Sequence, residues 1–537
     1  MIDLRLPPRR PAVAAMTAAL LGGAAFGWTA GLRVLDPREF GWAMKGDWRI
    51  HFLGWHFFRT EAWQWPPGVI TRLYEPIGTT LGYTDSIPVA AFLLKPIEAW
   101  LPNPFQYLGL WFLLCFVLQG FFGALVMSTW TPRPLLQIVG SLFFVFLPTL
   151  FFRIAHPALC SQWLLLWALW LNWRRPTSYR NDVVQHVALG LVSGLVHPYL
   201  AVMVLALLAA RATRSILTFG LASAALAFGW WASGLFTLSS REDLVAAGGD
   251  FSTNLLSLVN PGSTSAFLPG FQFFSGNQWD GYQYLGLGLL LLGCVAVPIA
   301  IKSRAWSRES VPLLVVLLAC TLYAITPLVA AGSLVIVDLR EELAVIGVFR
   351  ATGRFFWPVA YAIVAGVLGI VATRLRPATA SILLIVALAV QVADVHKRWL
   401  EVHDGARSRE FFEWTNLMPS SEWRDLLPRY RHLRMYSPEF CRGPVPVPLT
   451  VAAYHAGLYG LGINDGFAAR VDADKQADAC RQFREDFEGG VIDDSTVYLV
   501  APPLVAEFKR RAGTAADCRE IDALTVCVSS RLGTVRP

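Results

Sequence analysis

Eleven apolar runs constrain the fold of this chain more than any other feature of its sequence. Most are close to the roughly 17–25 residues that a helix needs to cross the hydrocarbon layer of a membrane. Only 15% of the 537 residues are charged, whereas soluble domains carry about a quarter. We therefore expect an α-helical polytopic membrane protein. The predicted spans lie near 12–35, 106–129, 134–152, 157–173, 184–196, 198–210, 215–238, 284–301, 311–332, 356–373 and 378–394.

The distribution of basic residues predicts the orientation of these spans. Short cytoplasmic loops concentrate lysine and arginine. With a cytoplasmic N-terminus, every predicted inner connection is basic, including those with Arg133, Arg174, Arg211, Lys302 and Arg374. The short fifth and sixth runs meet at HPYL and could instead form a hairpin that does not cross. Merging them would place three of the basic loops outside, so two separate spans are favoured.

Topology also accounts for most of the net charge of +7. Nucleic-acid binding would need a basic patch on a soluble face, and none is predicted, so nucleic acid is not an expected partner. The first apolar run is long and lacks a convincing cleavage site, which predicts a retained first helix rather than a signal peptide.

The long loop at 36–105, between the first two spans, is predicted to lie outside and is rich in acids, bases and tryptophans. A helix over 45–60 would bring Asp47, His51, Trp55 and Arg59 to one side, because they recur every four residues. Tryptophans there suit a position at lipid headgroups. The structural alternative is an interfacial helix in which Asp47 is a cap or an ion-pair partner. Asp85, in GYTDSIP, could likewise cap a helix that begins near Pro88.

Other polar residues without a topological explanation also fall in predicted outer turns. They are Arg153 and His156 in FRIAHP, His197 in HPYL, Asp280 in SGNQWDGYQY, and Arg350 and Arg354 in VFRATGRFFW. Because these turns share one predicted membrane face, we expect them to converge on an extracytoplasmic site.

Two of these outer residues, Arg350 and Arg354, stand four positions apart. A helix would aim both at one spot, as a clamp for a lipid phosphate. Pairing with Asp338, Glu341 or Glu342 is the structural alternative. His197 precedes a proline and is more typical of a bend than of a ligand site.

The composition changes after Asp394. Residues 395–537 contain no predicted span. Short apolar stretches (HLRMYS, STVYLVAP and ALTVCVSS) alternate with helix-like segments such as DADKQADACRQFREDFEGG and PPLVAEFKRRAG, which predicts a small α/β domain outside the membrane. Residues 1–394 are the predicted transmembrane domain. The C-terminal cysteines are Cys441, Cys480, Cys518 and Cys527. An even set outside the membrane favours two disulfides, with Cys518–Cys527 the preferred pair. A metal site is the alternative, but no CxxC pair is present.

The words GDWRIHFLGWHFFR, GYTDSIP, HPYL, GYQYLGLG and FRATGRFFWP resemble a bacterial membrane family that has no established activity. That family is grouped beside the GT-C superfamily of membrane glycosyltransferases. The arrangement of an acid-bearing first outer loop, many hydrophobic helices and a C-terminal outer domain resembles the GT-C superfamily itself.

The GT-C resemblance implies an inverting transfer of a sugar from a polyprenyl-phosphate-linked donor to a glycan, lipid or protein acceptor. It would occur at the outer face of a bacterial inner membrane, with the C-terminal domain in the periplasm. Such enzymes use a carboxylate in the first outer loop as general base, and Asp47, Asp85 and Asp36 are the matching candidates here. The neighbouring acidic pair usual in the superfamily is not clearly present. Mg²⁺ or Mn²⁺ stays open as a cofactor, and no metal ligands are assigned.

Chemistry also assigns substrate contacts. The leaving lipid phosphate needs arginine, lysine or histidine donors. The candidates for substrate contacts in the outer segments are His51, His56, Arg59, Arg153, His156, His197, Asp280, Arg350 and Arg354. A transporter or flippase of lipid-linked sugars is one alternative, disfavoured because the spans are nearly free of charge and show no repeat. A non-catalytic partner in envelope polysaccharide assembly is the other.

Overall fold

The computed structural model describes residues 11–212, 214–237, 251–303, 308–341, 349–436, 448–464, 466 and 468–531. The protein is mostly helical, with a small C-terminal sheet domain. The α-helices of the described residues are α1 Pro11–Ala30, α2 Trp48–Phe58, α3 Pro88–Leu94, α4 Leu108–Ser128, α5 Pro134–Val145, α6 Pro148–Phe152, α7 Trp163–Trp173, α8 Tyr179–Gly194, α9 Pro198–Ala212, α10 Ile216–Ala232, α11 Leu287–Ser303, α12 Val311–Ile325, α13 Trp357–Arg374, α14 Pro377–Gly405, α15 Arg409–Phe412, α16 Glu422–Leu426, α17 Pro448–Tyr459, α18 Ala473–Glu488 and α19 Val505–Ala512.

A helix occurs within each of the predicted spans. Among the described residues, five helical segments are long and apolar enough to cross a membrane, namely Ala12–Ala30, Leu108–Ser128, Pro134–Phe152, Thr352–Arg374 and Pro377–Gly405. Four shorter helices, α9 to α12, are also apolar. The fifth and sixth predicted spans are separate helices, α8 and α9, which part at His197 because Pro198 begins a new helix.

The strands are β1 Val69–Ile70, β2 Thr79–Thr80, β3 Leu328–Ala331, β4 Leu334–Asp338, β5 His432–Tyr436, β6 Gly462–Ile463, β7 Thr496–Val500, β8 Ala516–Ile521 and β9 Leu524–Ser529. The predicted span 311–332 is therefore wrong at its C-terminal end. Helix α12 stops at Ile325, and the apolar run continues as the antiparallel hairpin β3–β4. Pro327 is the reason, since proline disfavours helical backbone at the residue before it.

The chain forms two compact units. The first contains residues 1–35, 108–229 and 241–408. Its helices α1 and α4 approach closely through small residues. A Cβ atom at Gly120 would lie 2.2 Å from the Ala18 carbonyl oxygen, and one at Gly22 would lie 2.2 Å from the Phe116 carbonyl oxygen. Small residues at such crossings let helix backbones pack directly, as is common between membrane helices.

The second unit contains residues 36–107, 230–240 and 409–537. Its five-stranded sheet has the order β6-β5-β7-β9-β8, in which β5 is parallel to β6 and β7, and β9 is antiparallel to β7 and β8. The predicted apolar stretches HLRMYS, STVYLVAP and ALTVCVSS contain strands β5, β7 and β9. Helices α18 and α19 occupy the two helix-like segments.

The division of the chain differs from the predicted boundary at 394/395. Helix α14 runs on to Gly405 within the first unit, while the first loop belongs to the second unit. The loop extends the sheet edge, because Ile463 N donates to Arg72 O (2.8 Å) and Glu75 N donates to Ile463 O (2.7 Å). Backbone bonding to an exposed sheet edge carries no sequence signature, so the boundary could not be predicted.

Cys518 and Cys527, the preferred pair, form a disulfide between β8 and β9. Cys480 is disulfide-bonded as well, and Cys441 lies outside the described residues. The free cysteines are Cys115, Cys160, Cys294 and Cys320.

Candidate functional site

In the first unit, three residues from separate predicted outer turns meet in one ion-pair network, which we call the arginine–aspartate cluster: Arg153, Asp280 and Arg354. Arg153 Nη1 donates to Asp280 Oδ1 (2.6 Å), and its Nη2 contacts the Asp280 carbonyl oxygen. Arg354 Nε donates to Oδ2 (2.8 Å) and Nη2 to Oδ1 (3.1 Å). Charge-assisted and bidentate bonds of this kind fix the planes of both guanidinium groups.

Short helical turns present the members of this cluster. Arg153 follows α6, Asp280 lies in the 3-10 turn Gly276–Gly281, and Arg354 lies in the 3-10 turn Thr352–Phe356. The two turns approach through a glycine. A Cβ atom at Gly353 would lie 2.8 Å from the Gly281 Cα atom, so a larger residue there would push the turns apart.

Burial and charge act in opposite directions on Asp280. Burial alone would raise the pKa of its carboxyl group, but Arg153 and Arg354 outweigh burial and hold that pKa well below its usual range. Burial lowers the pKa of Arg153 to about 10, although Asp280 opposes the shift. Both groups are therefore charged at neutral pH.

The charges of the arginine–aspartate cluster also affect the pKa of His156. Burial lowers its pKa to about 4, and the positive charges of Arg354 and Arg153 add to the effect. The imidazole is therefore neutral at physiological pH, and it can accept a hydrogen bond at one nitrogen and donate at the other.

The other predicted members of the outer turns do not join the network in the same way. Arg350 is exposed and lies over the Phe251 ring (5.1 Å to the centroid). The expected helix carrying both Arg350 and Arg354 is wrong, because the 3-10 turn begins only at Thr352. His197 Nδ1 accepts a hydrogen bond from Tyr199 N (3.2 Å), which is the bend role.

The alternative prediction was that Arg350 and Arg354 pair with Asp338, Glu341 or Glu342. Asp338 pairs with Arg340 (2.7 Å), and Arg354 pairs with Asp280. Glu342 lies outside the described residues.

A cleft of about 710 Å³ opens beside the cluster in the same unit. Phe152 and Trp279, the chain neighbours of Arg153 and Asp280, line it. Its other lining residues are Pro261, Gly262, Ser263, Thr264, Gly270, Phe271, Gln272, Phe273, Gly276, Tyr282 and Arg398. Ligand pockets have about 300–1,000 Å³ and a few polar groups among apolar walls, and this cleft fits that description.

A buried aspartate that sequence reasoning passed over secures the loop of the cleft. Asp394, in α14, accepts hydrogen bonds from Tyr284 Oη (2.7 Å) and Leu287 N (2.9 Å), and it also contacts Ser265 Oγ. The last predicted span ends at Asp394, and no role was predicted for its carboxylate. An acid at the end of an apolar run was the available signal.

In the second unit, the predicted helix over 45–60 is α2, and its polar residues bind other parts of the first loop. Trp55 Nε1 donates to Phe105 O (3.0 Å), and Arg59 Nη1 donates to Pro102 O (2.9 Å). Arg59 also pairs with Glu98 (3.3 Å). These contacts give Arg59 a structural role in closing the loop on itself.

His56 faces the C-terminal part of the second unit. Its Nε2 forms a hydrogen bond with Tyr454 O (3.0 Å), and its ring stacks on the Tyr454 ring. Burial lowers the pKa of His56 to about 4, so the group is neutral at physiological pH. A buried neutral histidine bonded to a backbone carbonyl is a packing element.

The three carboxylate candidates of the first loop differ in their surroundings. Asp36 and Asp47 are exposed, and Asp47 occupies the N-cap position of α2 without a capping hydrogen bond from its side chain. Asp85 is half-buried and has a left-handed backbone, with φ of 51°. Asp85 is not the cap of α3, since the N-cap residue is Ile87.

The backbone around Asp85 is strained and tightly held. Ile87 has φ of 50°, which is an outlier for a β-branched residue. His51 Nδ1 contacts the Asp85 carbonyl oxygen, and Ser86 Oγ donates to His51 O (2.8 Å). Tyr107 Oη contacts the Ser86 carbonyl oxygen. Strain that the surroundings maintain is concentrated at functional sites.

A second ionic cluster in the first unit went unnoticed in the sequence. Asp182 contacts Arg174 (3.2 Å), Arg211 (3.6 Å) and His186 (3.7 Å). Arg174 and Arg211 were predicted only to mark cytoplasmic loops. The spacing of Asp182 and His186, four residues apart on α8, was the available signal. No group of three or more candidate metal ligands occurs among the described residues.

Protein-family models match most of the chain. A family model described as a domain of unknown function (DUF6311) matches residues 19–396. The chain belongs to this family. A second model, the DUF6311 C-terminal domain, matches residues 422–529. The DUF6311 match includes the arginine–aspartate cluster, Asp85 and every lining residue of the cleft except Arg398. No curated protein matches the chain.

Proposed function

We propose that this DUF6311 protein is a membrane glycosyltransferase, which transfers a sugar from a polyprenyl-phosphate-linked donor to an envelope acceptor. In this proposal the helices α1 and α4 to α14 provide eleven spans of a bacterial inner membrane, with α5 and α6 forming one span. The N-terminus is cytoplasmic. The predicted outer turns and the C-terminal sheet domain face the periplasm.

One observation supports this proposal most strongly. In two turns, adjacent residues contribute to two different environments. Arg153 and Asp280 belong to the charged cluster, whereas their chain neighbours Phe152 and Trp279 line the cleft. Arginines recognise phosphate oxygens through fixed, planar donors. Aromatic walls with a few hydroxyl groups suit a sugar. Transfer from a phosphate-linked donor to a saccharide acceptor requires both environments.

The reaction needs a base, which we assign to Asp85. Its carboxylate takes the proton of the acceptor hydroxyl, and that oxygen bonds to the anomeric carbon as the bond from carbon to the phosphate oxygen breaks. The electron pair leaves with the polyprenyl phosphate. Within the first unit, Arg153 and Arg354, which Asp280 orients, are the donors suited to a lipid phosphate.

Asparagine substitution of each candidate carboxylate tests this assignment. Asn tolerates the left-handed backbone much as Asp does, so Asp85→Asn removes the base without a new backbone strain. Transfer from a labelled polyprenyl-phospho-sugar into an envelope fraction should fall by about 10²–10⁴-fold. Asp36→Asn and Asp47→Asn are the matched controls and should retain activity. Full activity in all three variants would rule out Asp36, Asp47 and Asp85 as the base.

A further inference from the structure

The loop that lines the cleft brings several aromatic rings into contact. Gly262 has φ of +56°, and a Cβ atom there would lie 2.6 Å from the Trp279 ring. The Asn260 side chain holds two parts of the loop together, since its Oδ1 accepts hydrogen bonds from Gly262 N (3.1 Å) and Phe271 N (3.2 Å). Glycine at 262 therefore allows Trp279 to pack against the loop backbone.

The aromatic walls form a continuous series. The ring centroids of Phe273 and Trp279 are 4.8 Å apart, those of Trp279 and Tyr282 are 6.0 Å apart, and those of Tyr282 and Phe152 are 4.7 Å apart. Such a series offers several ring faces and edges along one wall of the cleft. Flat apolar surfaces of this kind bind other flat apolar surfaces.

Polar groups complete the lining. Tyr282 Oη and Thr264 Oγ1 are hydrogen-bonded to each other (2.9 Å), and Ser263 and Gln272 are exposed. The single cation among the lining residues is Arg398, which also pairs with Glu401 (2.9 Å). The lining residues include no carboxylate. A metal ion therefore has no carboxylate ligand among these side chains.

We propose that this cleft binds a saccharide. A sugar ring has faces of C–H groups that pack on aromatic rings, and its hydroxyl groups bond to hydroxyl and amide side chains around its edge. Trp279 carries the stacking contact, and Arg398 favours sugars with an acidic substituent. That the saccharide is the acceptor of the transfer reaction rests on the proposed function. The binding itself does not.

A glycine in the cleft offers a test that avoids unfolding. Gly276 lines the cleft, and a Cβ atom there would meet nothing within 4 Å, so Gly276→Leu is the substitution chosen to occupy the cleft. Gly220, on α10, also faces open space, and Gly220→Leu is the matched control. Purified full-length protein is applied to an array of envelope saccharides that includes neutral and uronic-acid sugars.

Wild type and Gly220→Leu should bind the same saccharides, while Gly276→Leu and Trp279→Ala should bind at least about tenfold more weakly, as expected for a loss of roughly 1.4 kcal/mol. Arg398→Gln should weaken binding of uronic-acid saccharides only. Absence of saccharide binding by wild type, or equal binding by Gly276→Leu, would overturn the inference.

A transfer assay on the same proteins separates the two proposals. Saccharide binding that Gly276→Leu abolishes, without any sugar transfer by wild type, would remove the glycosyltransferase proposal and leave the cleft assignment standing. Transfer that Asp85→Asn abolishes and Gly276→Leu leaves intact would support the glycosyltransferase proposal and show that the saccharide bound in the cleft is not the acceptor.

Discussion

The first unit contains two ionic clusters of the same composition, and they differ in their surroundings. In each, two arginines contact one aspartate with a histidine nearby. The cluster of Asp280 joins turns far apart in sequence and adjoins a cleft of about 710 Å³. The cluster of Asp182 joins the neighbouring helices α7, α8 and α9 beside a void of about 20 Å³. Burial does not distinguish them, since the side chains are 4–15% and 9–12% exposed.

A buried ion pair does not by itself indicate a functional site. Both clusters keep charged groups away from water, and such groups are found in structural networks as well as in active sites. The size of the nearby space distinguishes them. Phe152 and Trp279, the chain neighbours of Arg153 and Asp280, line a cleft large enough for a ligand, whereas the void of about 20 Å³ lined by Asp182 and Arg211 is too small for one. We therefore expect the cluster of Asp182 to stabilise helix packing and the cluster of Asp280 to serve function as well.

The largest expected effect concerns stability. Asp280→Ala leaves Arg153 and Arg354 buried without this counter-charge, and Asp182→Ala does the same to Arg174 and Arg211. Removing one partner of a buried ion pair costs about 3–5 kcal/mol. The loss should be larger for Asp280, since its contacts are shorter, at 2.6 and 2.8 Å against 3.2 and 3.6 Å. Thermal unfolding of the purified variants measures both, and a greater loss for Asp182→Ala would reverse this ranking.

The next effect separates function from packing. Arg354→Lys keeps the charge but loses the paired donors that hold Asp280 and a phosphate. Sugar transfer should fall by about 10²-fold, comparable to the loss of one preorganised donor to a developing anion. Arg211→Lys is the matched substitution in the other cluster and should leave transfer nearly unchanged. Similar losses in both variants would mean that the clusters do not differ in function.

The smallest effect is a pH dependence from His156. An unfolded histidine has its ordinary pKa near 6.5, whereas the pKa of folded His156 is about 4. The unfolded chain therefore binds a proton between these values that the folded chain does not, and stability falls as the pH drops from about 6.5 to 4.

His156→Gln should reduce that slope by up to about 1.4 kcal/mol per pH unit, the value for one proton. His56 and His455, whose pKa values burial also lowers to about 4, retain part of the slope. Unfolding midpoints measured across this pH range provide the test. An unchanged slope in the variant would show that His156 does not share the environment of the cluster.

The helical part of the fold was predictable because apolar runs of membrane length admit few structures. A helix formed in each predicted span, and even the short runs at HPYL separated as expected. The hairpin β3–β4 was missed because an apolar run alone does not distinguish a helix from a strand. The proline at 327 was the neglected signal.

The candidate site was predictable only as a set of turns. The predicted topology placed Arg153, Asp280 and Arg354 in outer turns, and the structure brings these three residues together. Which acid pairs with which arginine depends on the backbone conformation of the turns, and hydrophobic periodicity does not predict that conformation. The left-handed backbone at Asp85 and Ile87 was equally hidden, because neither residue is glycine and neither predicts φ above zero.

The most direct test of the central claim is consumption of a donor by the purified protein. Wild-type protein in liposomes is given a labelled polyprenyl-phospho-hexose and an envelope fraction as acceptor, and release of free polyprenyl phosphate is measured. Our account predicts release by wild type and a loss of at least about 10²-fold in Asp85→Asn. Absence of release by wild type, or equal release by Asp85→Asn, would contradict it.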